Sequence, residues 1–144
     1  MSKISIAEHL DKGWIHARMF FEVMAATEEV TRGSLKDHVA KIKKMDNIKI
    51  VEERFEEPMK VEEPPKHFKE GAYSQFVEVE VVVSSLENLM YSVIFFGPSS
   101  VEIVEPKEMK IGFESAQAMA NAVAEMMHTY AAKGAGGIVI SAKK

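Results

Sequence analysis

Residues 76–98 read FVEVEVVVSSLENLMYSVIFFGP, and inside this stretch the hydrophobic period changes from two to 3.6. Val77, Val79, Val81 and Val83 fall on one face, with Phe76, Glu78, Glu80 and Val82 on the other. That alternation predicts a strand over Phe76 to Val83. Ser84-Ser85-Leu86-Glu87 then has capping-box spacing, from Ser84 to Glu87. Leu86, Leu89, Met90, Val93 and Ile94 make one apolar helical face, and Gly97-Pro98 supplies the stop.

Downstream, Val101 to Val104 is a short strand closed by Pro106. Upstream, Glu62 to Ala72 holds Pro64-Pro65 and Gly71 and reads as a loop. Ile48 to Val61 alternates irregularly through Phe55, and Glu52, Glu53, Glu56 and Glu57 mark it as an edge strand. Leu35, Val39, Ile42 and Met45 form a helical stripe with lysines at 36, 41, 43 and 44 outside it. This helix starts either at Ser34 or near Thr27, where Glu28 and Glu29 would complement the helix dipole. Trp14 to Ala25 alternates again: Ile15, Ala17, Met19, Phe21 and Val23 oppose His16, Arg18, Phe20 and Glu22. Ser5 and Gly13 could bound a short helical arm before it.

The order strand, helix, strand, strand, helix, strand predicts an α+β fold: a ferredoxin-like βαββαβ antiparallel sheet with two helices on one face. The plait spans 14–104 of a single domain covering 1–144. An extra C-terminal helix and tail occupy 113–144, the helix over Ser115 to Ala132. Gly134 to Gly137 reads as a hinge and Ile138-Val139-Ile140 as a short terminal strand. Ala116, Met119, Val123, Met126 and Tyr130 recur three and four apart, a narrow seam of coiled-coil type. The first and third strands are expected to be the inner pair and to run parallel to each other, with their aliphatic face buried.

Composition bounds the function. The 144 residues are 47% hydrophobic and 28% charged, with no cysteine and a net charge of -4. Thiolate nucleophiles, disulfides and Cys-ligated metals are thereby excluded. No apolar run reaches membrane-spanning length, so a cytoplasmic protein without a membrane partner is expected. The acidity sits in the middle: residues 51–110 carry 13 acidic and 6 basic side chains. A phosphate backbone is recognised by clustered Lys and Arg, so this balance disfavours nucleic acid as a partner.

The candidate site is the sheet face away from the helices, where His16, Arg18, Phe20 and Glu22 meet Phe76, Glu78 and Glu80. Glu78 and Glu80 repel on one face unless Arg18 or a cation lies between them. His16, Arg18, Glu22, Glu78 and Glu80 are the candidate ligand-binding residues; a solvated, salt-bridged face is the plainer alternative. Met119, Val123, Met126 and Tyr130 are the candidate interface of a homodimer or higher homo-oligomer. No metal-ligand set is recognised, and the sequence leaves any cofactor unknown. Glu125 and His128 form one carboxylate–imidazole pair where a di-iron bundle needs two, so they read as a solvated stripe. His9, His38 and His67 read as surface histidines. Gly97-Pro98-Ser99-Ser100 follows a helix instead of opening one, which makes it a turn and not an anion nest.

On this arrangement, Trp14 to Val104 resembles an ACT-like or other ferredoxin-like regulatory module. The whole chain also resembles small uncharacterised archaeal proteins, most distinctively at Pro98-Ser99-Ser100-Val101-Glu102-Ile103. The resemblance implies a fold and a tendency to dimerise, and no activity. ACT domains place a Gly-containing turn directly between the first strand and helix; Gly33 lies well beyond the strand, so amino-acid binding does not carry over.

Three readings follow. A non-catalytic dimerising module binding a small ligand or partner protein fits the poverty of motifs best. An enzyme would use Glu22, Glu78 and Glu80 with His16 and Arg18 as acid–base or metal-binding groups. An RNA-binding plait would need aromatic motifs that Phe20 and Phe76 alone do not make.

Overall fold

The structure, a computed structural model, describes residues 4–133. The hinge and terminal strand expected over 134–140 lie outside the described residues. The fold is α+β, with a five-stranded antiparallel sheet and four helices among the described residues. A short helix α1 (Ile6–Asp11) leads into β1 (Ile15–Ala25), α2 (Glu28–Lys43) and β2 (Ile48–Phe55). A two-residue strand β3 (Met59–Lys60), then β4 (Tyr73–Val83), α3 (Leu86–Phe96), β5 (Ser100–Glu105) and α4 (Phe113–Ala132) complete it. The strand order β2-β4-β1-β5, with β3 beside β4, is consistent with a ferredoxin-like plait.

One expectation about the sheet is corrected. β1 and β4 are the inner pair, but they run antiparallel, Ile15 facing Val83 and Ala25 facing Tyr73. The connections explain it. The chain leaves β1, returns through α2 and lays β2 down parallel to β1 with a gap between. A hairpin-like reversal must then fill that gap with a strand opposed to both neighbours.

Burial follows the period of two. Ala17, Met19, Phe21, Val77, Val79, Val81 and Val83 are all buried and share one core with Leu35, Val39 and Ile42 of α2 and Leu89 and Phe96 of α3. Both helices therefore cover the same sheet face, as the aliphatic pattern requires. Thr27 caps α2, its hydroxyl accepting from the Val30 amide at 3.1 Å, which settles the helix start in favour of the earlier site. In α3 the cap is Ser85, accepting from the Asn88 amide at 3.0 Å, and not Ser84. Ser84 instead accepts from the Asn88 side-chain amide at 2.6 Å. Gly97 ends α3 with φ +64, the left-handed conformation that a Cβ disfavours.

α4 packs along α3. Its side chains divide cleanly: Ser115, Ala118, Met119, Ala122 and Met126 are half-buried, while Phe113, Ala116, Ala120, Val123, Met127 and Tyr130 are exposed. Two histidines expected at the surface are held in place instead. His38 Nε2 donates to the Phe96 carbonyl at 2.7 Å, its ring edge-on to Phe21 and Phe96. His9 Nδ1 donates to the Ser5 carbonyl at 2.7 Å and lies against Trp14. In both cases a local carbonyl acceptor offsets the cost of partial burial.

Candidate functional site on the outer sheet face

The alternate residues of β1 and β4 that do not enter the core are His16, Arg18, Phe20 and Glu22 with Phe76, Glu78, Glu80 and Val82. Register brings them together: Arg18 faces Glu80, Phe20 faces Glu78 and Glu22 faces Phe76. All five candidate ligand-binding residues thus share one face. The face is wider than that set. A bulge between Ile50 and Glu52 shifts β2 by one residue, so Glu52 lands opposite Glu80 and Arg54 opposite Glu78. On the other edge β5 places Glu102 opposite Arg18.

Two arginines order this surface. Arg54 reaches three carboxylates: Glu80 at 2.7 Å, and Glu52 and Glu78 in close ion pairs. Arg18 joins Glu102 at 2.5 Å and approaches Glu78 at 3.8 Å. The cation needed between Glu78 and Glu80 is therefore Arg54 in the main, with Arg18 on the far side of Glu78. Arg54 carried no legible signal, because alternation in β2 breaks at the Val51 bulge and leaves its facing ambiguous.

The innermost pair is His16 and Glu80, both buried. His16 Nε2 donates to Glu80 at 2.5 Å. Its Nδ1 lies 3.5 Å from the Glu105 carboxylate, beyond a good hydrogen bond, and has no hydrogen-bond partner among the described residues. The Glu80 carboxyl is held below the ordinary carboxylate range, chiefly by its hydrogen bond from Arg54. Burial opposes this, and the His16 contact adds to the lowering. Glu80 is thus an ionised anchor at neutral pH.

Toward the Glu22 end the surface opens. Phe76 is 40% exposed and Glu22 is exposed. Phe20, Phe76, Arg54, Glu56 and Glu78 line a shallow hollow of about 370 Å³. Two aromatic rings beside carboxylates suit an organic cation, since ring faces and carboxylates both attract positive charge. Among the described residues, no three His, Asp or Glu side chains come together as a metal-binding group.

The candidate interface residues are divided between two environments. Met126 shares a crevice of about 310 Å³ with Tyr91 and Ile94 of α3, and Met119 is half-buried on the same side. Val123 is 38% exposed on the other side of the helix, and Tyr130, 46% exposed, stands at the rim of the same crevice as Met126. Gln117, Asn121, Glu125 and His128 are exposed, as a solvated stripe should be. Ser99, within the turn after α3, gives its amide to the Phe20 carbonyl at 2.7 Å and its hydroxyl to the same oxygen at 3.0 Å. The turn therefore ties β5 to β1.

No curated protein and no solved structure matches the chain. No helix among the described residues is long and apolar enough to cross a membrane. A family match does span residues 16–143, from the buried histidine of the outer face through both helices of the α3–α4 layer, and it implies no activity. On the extent of that match, the chain belongs to the MJ0538 family.

Proposed function

We propose that this chain is a non-catalytic, ferredoxin-like βαββαβ module that self-associates through its helical layer and binds a basic ligand on its outer sheet face. The ligand is an organic cation, free or carried as a Lys or Arg side chain on a partner protein. The observation that carries the reading is the charge balance of that face. Glu22, Glu52, Glu78, Glu80, Glu102 and Glu105 outnumber Arg18, Arg54 and Lys49, and both arginines are already held by carboxylates. The surface is left negative, with aromatic side chains at its open end. The same excess of carboxylates repels a phosphate backbone.

An acid–base enzyme retains one supporting observation, the unpartnered Nδ1 of His16. Against it, His16 and Glu80 are buried beneath the face, and Glu80 is held ionised where a general acid needs a raised pKa. The test is titration calorimetry with a lysine hexapeptide, with spermidine as the small cation and a glutamate hexapeptide as control. The cations should bind and weaken with added salt, and Glu22→Gln/Glu102→Gln, two exposed changes, should reduce that binding about tenfold. Equal binding by the variant, or preference for the acidic peptide, would contradict the assignment.

A further inference from the structure

α4 carries two apolar seams, and α3 covers one of them. The inner seam, with Met119, Ala122 and Met126, lies half-buried against α3. The outer seam is Phe113, Ala116, Ala120, Val123, Met127 and Tyr130, spaced three, four, three, four and three. That is an uninterrupted heptad seam of a and d positions, and every member of it is exposed. Phe113 is 80% exposed, Tyr130 46%, and Val123 and Met127 38% each. None of the six is charged or amide-bearing. Glu114, Gln117, Asn121, Glu125 and His128 occupy other positions around the helix.

We infer that the outer seam of α4 is the contact between two copies of this chain, packed antiparallel about a two-fold axis between Ala120 and Val123. The inference rests on the self-association reading above and names its surface. Its first support is self-complementarity. An antiparallel pair matches a positions to d positions of the partner. About that axis Ala116 meets Met127, Ala120 meets Val123, and Phe113 meets Tyr130. Each small side chain faces a larger one, and the two aromatic rings pair at the ends. A parallel pair would set alanine on alanine at two levels and leave the seam unevenly filled.

The second support is area. Tyr130, the last member of the seam, lines one hollow with Met126 and with Tyr91 of α3, and Tyr91 lines another with Phe95. Phe95 is 76% exposed and Tyr91 43%. The seam alone presents on the order of 500 Å² of apolar surface, more than half of the ~800 Å² that each partner contributes to a standard interface, and Tyr91 adds to it beside Tyr130. A patch of that size is at the upper end of what a monomer leaves in water, and such patches mark contact surfaces.

The test exploits a chain without cysteine. Ala116→Cys and Met127→Cys are made separately, oxidised alone and then as an equal mixture, and read on non-reducing gels beside native mass spectrometry of the unaltered chain. In the antiparallel pair each new thiol lies about 16 Å along the axis from its own copy, beyond disulfide reach, but opposite the other variant's thiol. The mixture should cross-link and neither variant alone should. Cross-linking of either variant alone would overturn the antiparallel arrangement. A dimer mass with no cross-link in any tube would place the contact elsewhere, overturning this surface and leaving self-association intact. A monomer at every concentration would overturn both. Val123→Glu gives an independent reading: the dimer should dissociate with an unchanged far-ultraviolet circular dichroism spectrum, and a persisting dimer contradicts the seam.

Discussion

Replacing Glu80 by Gln tests what holds the outer face together. The carboxylate accepts from His16 Nε2 at 2.5 Å and from Arg54 at 2.7 Å. Hydrogen bonds to a charged partner contribute about 1.5–3 kcal/mol each when shielded from water. Three features lower that sum here. Arg54 is partly exposed, Gln retains one acceptor, and its neutrality relieves repulsion with Glu52 directly across the strand pair. The downward shift of the Glu80 carboxyl nevertheless says that its hydrogen bonds from Arg54 and His16 outweigh the cost of burial. A net loss of about 2 kcal/mol at pH 7 follows, roughly a 6 °C fall in Tm for a chain of this length. The pH dependence carries a definite sign. A carboxyl whose folded pKa is lowered stabilises above its unfolded value, near 4.3, and that contribution disappears as pH falls through the lower folded value. Urea unfolding of both proteins at pH 7 and at pH 3 should show the difference shrinking in acid. A variant within about 0.5 kcal/mol of the parent at pH 7, or a difference independent of pH, would refute this account of the face.

Other consequences are simpler to measure. Met19, fully buried in the centre of the sheet, should cost about 3 kcal/mol on replacement by Ala, read by urea unfolding; a loss under 1 kcal/mol would mean that the site collapses. Ser85→Ala should cost about 1 kcal/mol through loss of the α3 cap and Ser84→Ala distinctly less, whereas the reverse order would restore the capping-box assignment. Gly97→Ala should cost about 1 kcal/mol through backbone conformation alone, because nothing lies within 4 Å of the added Cβ; unchanged thermal melting would contradict that.

Much of this architecture is legible in the sequence because β1 and β4 are long, uninterrupted alternations and because Leu35, Val39 and Ile42 repeat at helical spacing. Those patterns report burial directly, and burial is what the sheet and helices have in common. Three features were not legible, each for a physical reason. The β2 bulge at Val51 moves Arg54 onto the outer face, and a break in period carries no information about the side to which a strand resumes. The relative direction of β1 and β4 is not carried by the alternation in either strand and follows only when the βαββαβ connections are traced, which set the inner pair antiparallel. In α4, residues of the inner and outer seams lie close together on the helical wheel. Met119 and Met126, half-buried against α3, therefore read as one stripe with the exposed Val123 and with Tyr130 at the crevice rim. A helix with two apolar sides needs its neighbours to be known before its seams can be separated.

The candidate site was legible in a similar measure. Its five residues do share one face, since their period of two places them there. What the sequence did not convey is the pairing. Glu80 looks like a free acid until Arg54, opposite Glu78, is seen to reach it diagonally and His16 to donate to it. The open end, with Phe20, Phe76 and Glu22, combines exposed carboxylate with aromatic surface.

The central claim is that this outer face binds cations, and amide chemical-shift mapping during titration with the lysine hexapeptide tests it most directly. The account predicts the largest shifts at Arg18, Phe20, Glu22, Arg54, Phe76 and Glu78, with Leu35 and Val39 beneath the opposite face unmoved. Shifts gathered instead along α3 and α4, or no shifts as the peptide reaches millimolar concentration (Kd weaker than about 1 mM, or −4 kcal/mol), would contradict it.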